Sequence, residues 1–175
     1  MPDTTFNTPD GQTIGREKLV AYMNTGTGEL PVWSPVGIRV PDSSMENDWQ
    51  RDTSKDIMGN SYSNMKKPIV TQSFDPWPLT KGDSAVEKIW NMAIKDQDAE
   101  ALAAVDMLIV HLYAGTADSA MFAERYSACA IEATGLGGEG GGNLSMPVSV
   151  TYGGTRTTGT AKVTEGAVTF NPDVA

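Results

Sequence analysis

A glycine-rich segment between two strands is the feature that most constrains the fold. Residues 134–143 read TGLGGEGGGN, and Gly135, Gly137 and Gly140 match the G-x-G-x-x-G spacing of a dinucleotide-binding turn. Such a turn must lead into a helix whose N-terminus faces the pyrophosphate. Here apolar residues recur at every second position from Leu144 to Tyr152, which is the period of a strand with one buried face. The glycines therefore join strand to strand, and the sequence favours an all-β structural protein over a cofactor enzyme.

Other segments also predict strands. Residues 105–113 are apolar at both alternations and predict a central strand, whereas 30–40 predict a bulged or edge strand because two prolines interrupt the ladder. Residues 69–75 predict a strand that ends at Pro76. A long strand over 121–134 should carry Cys129, Ile131 and Ala133 on one face and Glu124, Tyr126 and Glu132 on the other.

The C-terminal region predicts tight hairpins. Gly153 and Gly154 favour a two-residue turn with positive φ at both positions, which would pair the strand before it with a strand over 155–164. A turn at Glu165 and Gly166 then leads to a last short strand over 168–170.

One strong helix is predicted over about 83–95. Asp83 or Ser84 caps its N-terminus, and Val86, Ile89 and Trp90 begin an apolar stripe at helical spacing. The pattern therefore predicts a mainly β chain, made of β-hairpins plus one helix. Residues 1–29 predict an N-terminal arm, and 30–175 predict a single β domain that carries a long hairpin or loop over 41–65.

The long hairpin carries large apolar side chains in a polar context. We interpret them as a surface for a partner, with cover for the domain's own core as an equal alternative. These residues are Met45, Trp49, Ile57, Met58, Tyr62 and Met65.

Charge and cysteine content exclude several classes of function. The net charge of −9 argues against a basic nucleic-acid clamp and against binding an anionic membrane surface. The only cysteine, Cys129, rules out an internal disulfide. The polar, acidic N-terminus lacks the regions of a signal peptide, and no apolar run is long enough for a membrane span, so we expect a soluble protein made in a cytoplasm.

Catalytic and metal-binding patterns are weak. His111, the only histidine, lies in an apolar strand, so we expect a core histidine rather than a general base, and a Cys129–His111 nucleophile needs a coincidence of folding. Asp96, Asp98 and Glu100 resemble the start of a calcium loop, but the required glycine and bidentate glutamate are missing. We therefore predict no enzyme, no cofactor and no metal.

Several segments in order resemble a known family. They are 33–40 (WSPVGIRV), 56–60 (DIMGN) in the hairpin, 74–78 (FDPWP) before the helix, 106–112 (DMLIVHL), and the strand, glycine joint and strand of 122–152. The chain resembles the major tail tube proteins of long-tailed, siphovirus-like bacteriophages.

The resemblance implies a fold of two packed antiparallel sheets, a β-sandwich or partial barrel, with one flanking α-helix. It also implies a structural role in a virion tail, assembled in the cytoplasm of a bacterial host. Six copies would close into a ring, and rings would stack into a tube that conducts DNA during infection without binding it specifically. The apolar residues of the long hairpin would then contact a neighbouring copy, and the N-terminal arm would reach the next ring. Other partners would be the tape measure, terminator and distal tail proteins.

Acids that line the lumen of such a tube would repel phosphates. The candidates are Glu124, Glu132 and Glu139, with an ordinary solvated face as the alternative for each. Two rival hypotheses are a monomeric β-sandwich binding or adhesion module of a virion, and a small hydrolase built on His111.

Overall fold

The computed structural model describes residues 3–173, which fold mainly as β-strands. The strands are β1 Leu19–Asn24, β2 Trp33–Pro35, β3 Met45–Asp48, β4 Arg51–Lys55, β5 Ser61–Met65, β6 Ile69–Pro78, β7 Val105–Thr116, β8 Ala120–Ala133, β9 Ser145–Tyr152, β10 Arg156–Thr164 and β11 Ala167–Pro172. The helical segments are a 3₁₀ turn Arg16–Lys18, α1 Ser84–Trp90 with a π-helical continuation Asn91–Lys95, and α2 Ala99–Leu102.

Nine of these strands form two antiparallel sheets that share β8, and β4 and β5 pair separately with each other. The large sheet has the order β2-β1-β7-β8-β10-β11, and the small sheet has the order β8-β9-β6-β3. Residues 121–126 of β8 pair with β10, whereas residues 130–133 pair with β9. The predicted fold class, two packed antiparallel sheets with a flanking helix, is confirmed.

Two hydrophobic cores lie on the two faces of β7. Met107 and Ile109 point into the core between the sheets, which α1 closes, and Leu108 and Val110 point into a second core that β10 and β11 cover. The prediction of a central strand with two apolar faces is therefore confirmed. The edge strand β11 contacts β2, but the large sheet does not close into a barrel.

The flanking helix is fixed to the small sheet at its N-terminus. One carboxylate oxygen of Asp83 accepts from the backbone N–H groups of Ala85 and Val86 at 3.2 and 3.3 Å. The other accepts from the indole Nε1 of the buried Trp77 on β6, at 3.1 Å. Ile89 is fully buried against the core, a burial that contributes roughly 1.5–3 kcal/mol. Both the predicted helix and its Asp83 cap are confirmed.

The predicted turn at Gly153 and Gly154 does not form a hairpin. The strands before and after it, β9 and β10, belong to different sheets, and only Gly154 has a positive φ, 73°. The two glycines pass close to β8 as the chain changes sheets. A Cβ on Gly154 would lie 2.7 Å from the backbone nitrogen of Ala128. The prediction was wrong because a close approach, rather than a two-residue turn, requires these glycines.

Two strand predictions need correction at irregular positions. The register between β7 and β8 shifts between the pairs Val105–Cys129 and Met107–Tyr126, so Tyr126 joins Cys129 in one core instead of lying on the opposite face. The strand predicted to end at Pro76 continues to Pro78, because the register shifts at a bulge between Phe74 and Trp77 and the proline lies within that bulge.

Part of the predicted N-terminal arm is a core strand. Residues 19–24 form β1, which lies between β2 and β7 and buries Ala21, Tyr22 and Met23. The prediction was wrong for these six residues because the short apolar patch is flanked by polar sequence. Residues 3–7 are exposed.

The glycine-rich segment joins β8 to β9, which pair with each other. Gly137 makes an isolated bridge to Ser145, and Gly141 has a φ of 82°. The strand-to-strand prediction is confirmed. The turn between β10 and β11 is also as predicted, with φ values of 50° at Glu165 and 82° at Gly166.

Candidate functional site

An isolated hairpin protrudes from the body of the protein. β4 and β5 pair with each other and with no other strand among residues 3–173, and every one of their residues is exposed. A two-stranded hairpin without a buried face is marginally stable in water. In an isolated copy this hairpin therefore has no packing against the rest of the protein to stabilise it.

Asp56 orders the tip of the hairpin. Its carboxylate accepts from the backbone N–H of Met58 at 2.9 Å, from the backbone and side chain of Asn60 at 2.8 and 2.9 Å, and from the Tyr62 hydroxyl at 3.0 Å. These hydrogen bonds, the one from the Asn60 side chain above all, lower the pKa of Asp56 below its usual value. The ordered turn presents Ile57 and Met58 to solvent, with Ile57 completely exposed.

The six predicted contact residues do not form one surface. Ile57 and Met58 lie at the tip, whereas Trp49 and Met65 line a shallow cavity of about 450 Å³ at the base. Tyr62 lies on the opposite face of the hairpin from Met65, because the two are separated by an odd number of positions in β5. Met45 is half-buried and packs against the core between the sheets, so it is core cover. The inter-subunit role of the other five stays a prediction.

The outer face of the small sheet is a second exposed surface. Along β6, Val70, Gln72 and Phe74 are buried, whereas Thr71 and Ser73 between them point away from the core. Register extends this face across the neighbouring strands. Its rows are Glu46–Thr71–Thr151–Ala130, Asp48–Ile69 and Ser73–Ser149–Glu132.

The charge of this outer face has one sign. It carries Glu46, Asp48 and Glu132, with Asp75 beside the bulge, and all four are exposed. The paired segments 45–48, 69–78, 145–152 and 130–133 contain no lysine or arginine. None of the four acids forms an ion pair within residues 3–173. We call this surface the acidic face; it consists mainly of small hydroxyls and unpaired carboxylates, with Ile69 as its one large exposed apolar side chain.

The predicted lumen acids separate in the structure. Glu132 lies on the acidic face, whereas Glu139 lies exposed in the loop between β8 and β9. Glu124 is largely buried on the large sheet and is no free surface charge. Sequence reasoning missed Glu46, Asp48 and Asp75. The segments 45–48 (MEND) and 69–75 (IVTQSFD) do not alternate strictly between apolar and polar residues, so the local pattern did not indicate this face.

Glu124 joins three strands through charged hydrogen bonds. Its Oε1 lies 2.9 Å from His111 Nε2 on β7, and its Oε2 accepts from Arg156 Nε on β10 at 2.6 Å and from the Tyr126 hydroxyl at 3.1 Å. Burial alone would raise the pKa of Glu124, but the bonds and charges of His111 and Arg156 outweigh it and lower the pKa to about 2. The cluster therefore acts as a structural tie between strands.

The histidine and cysteine considered for catalysis are both engaged in the fold. His111 contacts Glu124 with one ring nitrogen and the Tyr113 hydroxyl, at 2.8 Å, with the other. Burial raises the pKa of the fully buried Cys129 to about 11, which keeps the thiol protonated. Among the described residues, no group of three or more His, Cys, Asp or Glu is placed to hold a metal ion. The same residues contain no helix with the length and apolarity to cross a membrane.

The comparisons find similarity in structure only. No protein-family model matches the sequence, and no curated protein matches it significantly. A sheath/tube terminator of an extracellular contractile injection system, PVC, in the extended state superposes with a TM-score of 0.52 at 9% identity, over 86% of this chain and 99% of that one.

Two other solved structures are more distant. The tube-terminating cap of the anti-feeding prophage, AFP, has a TM-score of 0.48 at 13% identity, over 89% of this chain and 96% of that one. A chain of the PVC sheath–tube complex in the extended state has a TM-score of 0.47 at 10% identity, over 85% of this chain and 93% of that one. At these identities the similarity to the PVC terminator establishes a shared fold.

Proposed function

We propose that this protein is a structural subunit of a bacteriophage-type tail tube. Copies associate side by side into a ring, six in number by the family resemblance, and rings stack into a tube that conducts DNA. The shared fold with a sheath/tube terminator over nearly all of that chain supports the proposal. The role needs no catalysis, cofactor or metal, and its place is the tail of a virion.

The acidic face is the observation that carries the proposal. A wall that conducts DNA without holding it must offer the phosphates no cations. Uncompensated Glu46, Asp48, Asp75 and Glu132 among hydroxyls meet that requirement, because a negative surface repels the phosphate backbone. In this proposal the acidic face lines the lumen, and Glu139 lies near its rim.

Open strand edges and the exposed hairpin supply the contacts between copies. β3 ends the small sheet, and β2 and β11 end the large sheet, so each carries backbone groups that a neighbouring copy can pair. Trp49, Ile57, Met58, Tyr62 and Met65 on or beside the hairpin then contact the adjacent copy. The tube ends on tape measure, terminator and distal tail proteins.

A tail terminator is the second candidate, because the solved structure with the TM-score of 0.52 is a sheath/tube terminator. A terminator forms one ring and stops, whereas a tube subunit polymerises. Negative-stain imaging of the purified, concentrated protein separates the two: stacked rings support the tube subunit, and single rings that never stack support the terminator. A stable monomer at high concentration would overturn both and favour a binding or adhesion module.

A further inference from the structure

The N-terminal segment 5–7 lies beside β7 as a short antiparallel partner. The backbone N–H of Asn7 donates to the carbonyl of Tyr113 at 2.8 Å, and the N–H of Gly115 donates to the carbonyl of Thr5 at 2.9 Å. The Asn7 side chain also donates to the Leu112 carbonyl at 2.9 Å. These bonds define one register, so the end of β7 is a built site for this segment.

Phe6 is the apolar anchor of the segment, and its own copy covers it poorly. Its ring meets Tyr113 edge to face, with centroids 5.4 Å apart, yet the residue remains 65% exposed. Exposed aromatic side chains held on an ordered segment are typical of contacts between proteins. Within one isolated copy, the apolar anchor of the docked segment is therefore only partly covered.

The connection to β1 is longer than docking within one copy requires. Leu19 of β1 pairs with His111, and Asn7 pairs at Tyr113, so the two anchor points are about 7 Å apart along β7. Residues 8–15 between them are largely exposed. About eight residues reach roughly 26 Å when extended, enough for the segment to reach a neighbouring copy.

We propose that the end of β7 receives segment 5–7 from a second copy of this chain in the assembled particle. Each copy donates its own segment and accepts a neighbour's, which keeps every backbone bond of the site and places the poorly covered Phe6 where two copies meet. Exchange of an identical element is a low-cost route to association, and the site recognises its partner by adding a strand to a sheet edge. The inference rests on the proposed function, because the partner is another subunit.

Disulfide trapping tests the exchange. Phe6 faces Ala114 between the two flanking backbone bonds, so they form a non-hydrogen-bonded pair. Such pairs have Cα atoms about 4.5 Å apart, within the range of a disulfide. Phe6→Cys protein is co-assembled with Ala114→Cys protein, oxidised, denatured and run on a non-reducing gel. We expect a covalent dimer in the mixture that neither variant gives alone, since the native Cys129 is buried.

The double variant F6C/A114C supplies the second measurement. Oxidised particles of this variant should give a ladder of covalent oligomers, whereas an internal disulfide in single chains, with no dimer in the mixture, would overturn the exchange. The pair Thr53→Cys and Ser63→Cys, which face each other within the hairpin, is the control for a bond inside one copy. Each variant is first shown to keep the wild-type unfolding midpoint under reducing conditions.

The two proposals fail in different ways. Particles of the F6C/A114C variant that contain only internal disulfides refute the exchange and leave the tube subunit intact. Wild-type protein that forms no particles refutes the tube subunit. The concentrated mixture then decides the exchange by itself, because a covalent dimer supports it and the absence of a dimer refutes it.

Discussion

Replacing acids of the acidic face with lysine should make assembled particles of this protein bind DNA. Glu46 pairs with Thr71 and Glu132 with Ser149, and both acids are exposed and make no ion pair among the described residues. Replacing both with lysine changes two charges of −1 to +1, which raises the formal net charge from −9 to −5. The fold should tolerate the change, because neither side chain contributes to a core.

The size of the effect follows from counterion release. Each lysine that neutralises a phosphate makes the logarithm of the DNA binding constant fall with the logarithm of the salt concentration, with a slope of about −0.9. Two such contacts per copy lower that constant about 12-fold when salt rises from about 50 to about 200 mM. We expect no measurable DNA binding by the wild-type particles.

The assay is fluorescence anisotropy of a labelled DNA duplex with assembled particles at the two salt concentrations. The matched control is the pair Glu29→Lys and Glu165→Lys, which gives the same net charge from exposed positions off the acidic face. In particles that carry DNA, the lysine face should also slow DNA ejection.

Two results would refute the reasoning. DNA binding of equal strength by the on-face and off-face pairs would mean that net charge, and not the acidic face, controls the contact. Unchanged ejection from particles that carry the on-face lysines would mean that the face does not line the conduit.

Three further predictions concern assembly and stability. Trp49→Ala should weaken assembly, measured by light scattering, and leave the unfolding midpoint of the monomer unchanged. A lower midpoint would instead mean that Trp49 packs in the core of its own copy. Glu124→Gln should lower the free energy of unfolding by about 2 kcal/mol at pH 7. This is less than the lowering of the Glu124 pKa from 4.5 to about 2 implies, because its partner Arg156 is half exposed and solvent screens the interaction. Because the folded pKa is depressed, denaturant unfolding should show this difference disappearing as pH falls from 4.5 towards 2, and a constant difference would contradict it. Ile89→Ala should cost about 2–5 kcal/mol in the same assay, whereas Ile57→Ala at the exposed tip should cost nothing measurable.

Local patterns predicted the elements whose hydrophobic period is uninterrupted. The alternation around Val148 and Val150 excluded a cofactor turn, and the capped apolar stripe from Asp83 to Ile89 predicted the helix. These predictions held because each element buries one continuous face, and burial of that face dominates its energy.

The candidate surfaces were predicted less completely. The exposed hairpin could be anticipated from large apolar residues in a polar segment, and five of its six predicted residues are exposed; Met45 packs on the core instead. Of the three predicted acids, only Glu132 lies on the acidic face. Glu124 could not be assigned from sequence, because its partners His111 and Arg156 reach it only through the pairing of β7 and β10 with β8.

The sequence by itself determined that this chain is a β protein with one strong helix, because period and turn chemistry are encoded within a few residues. Only the tertiary structure decided which strands pair, that β8 serves two sheets, and that the acids of β3, β6 and β8 share one face without a cation. The physical reason is distance along the chain. Glu46 and Glu132 are far apart in sequence, and register across four strands brings them to the same surface. The glycine-rich joint is the local cause of that arrangement, since it turns β8 back onto β9 and so completes the face.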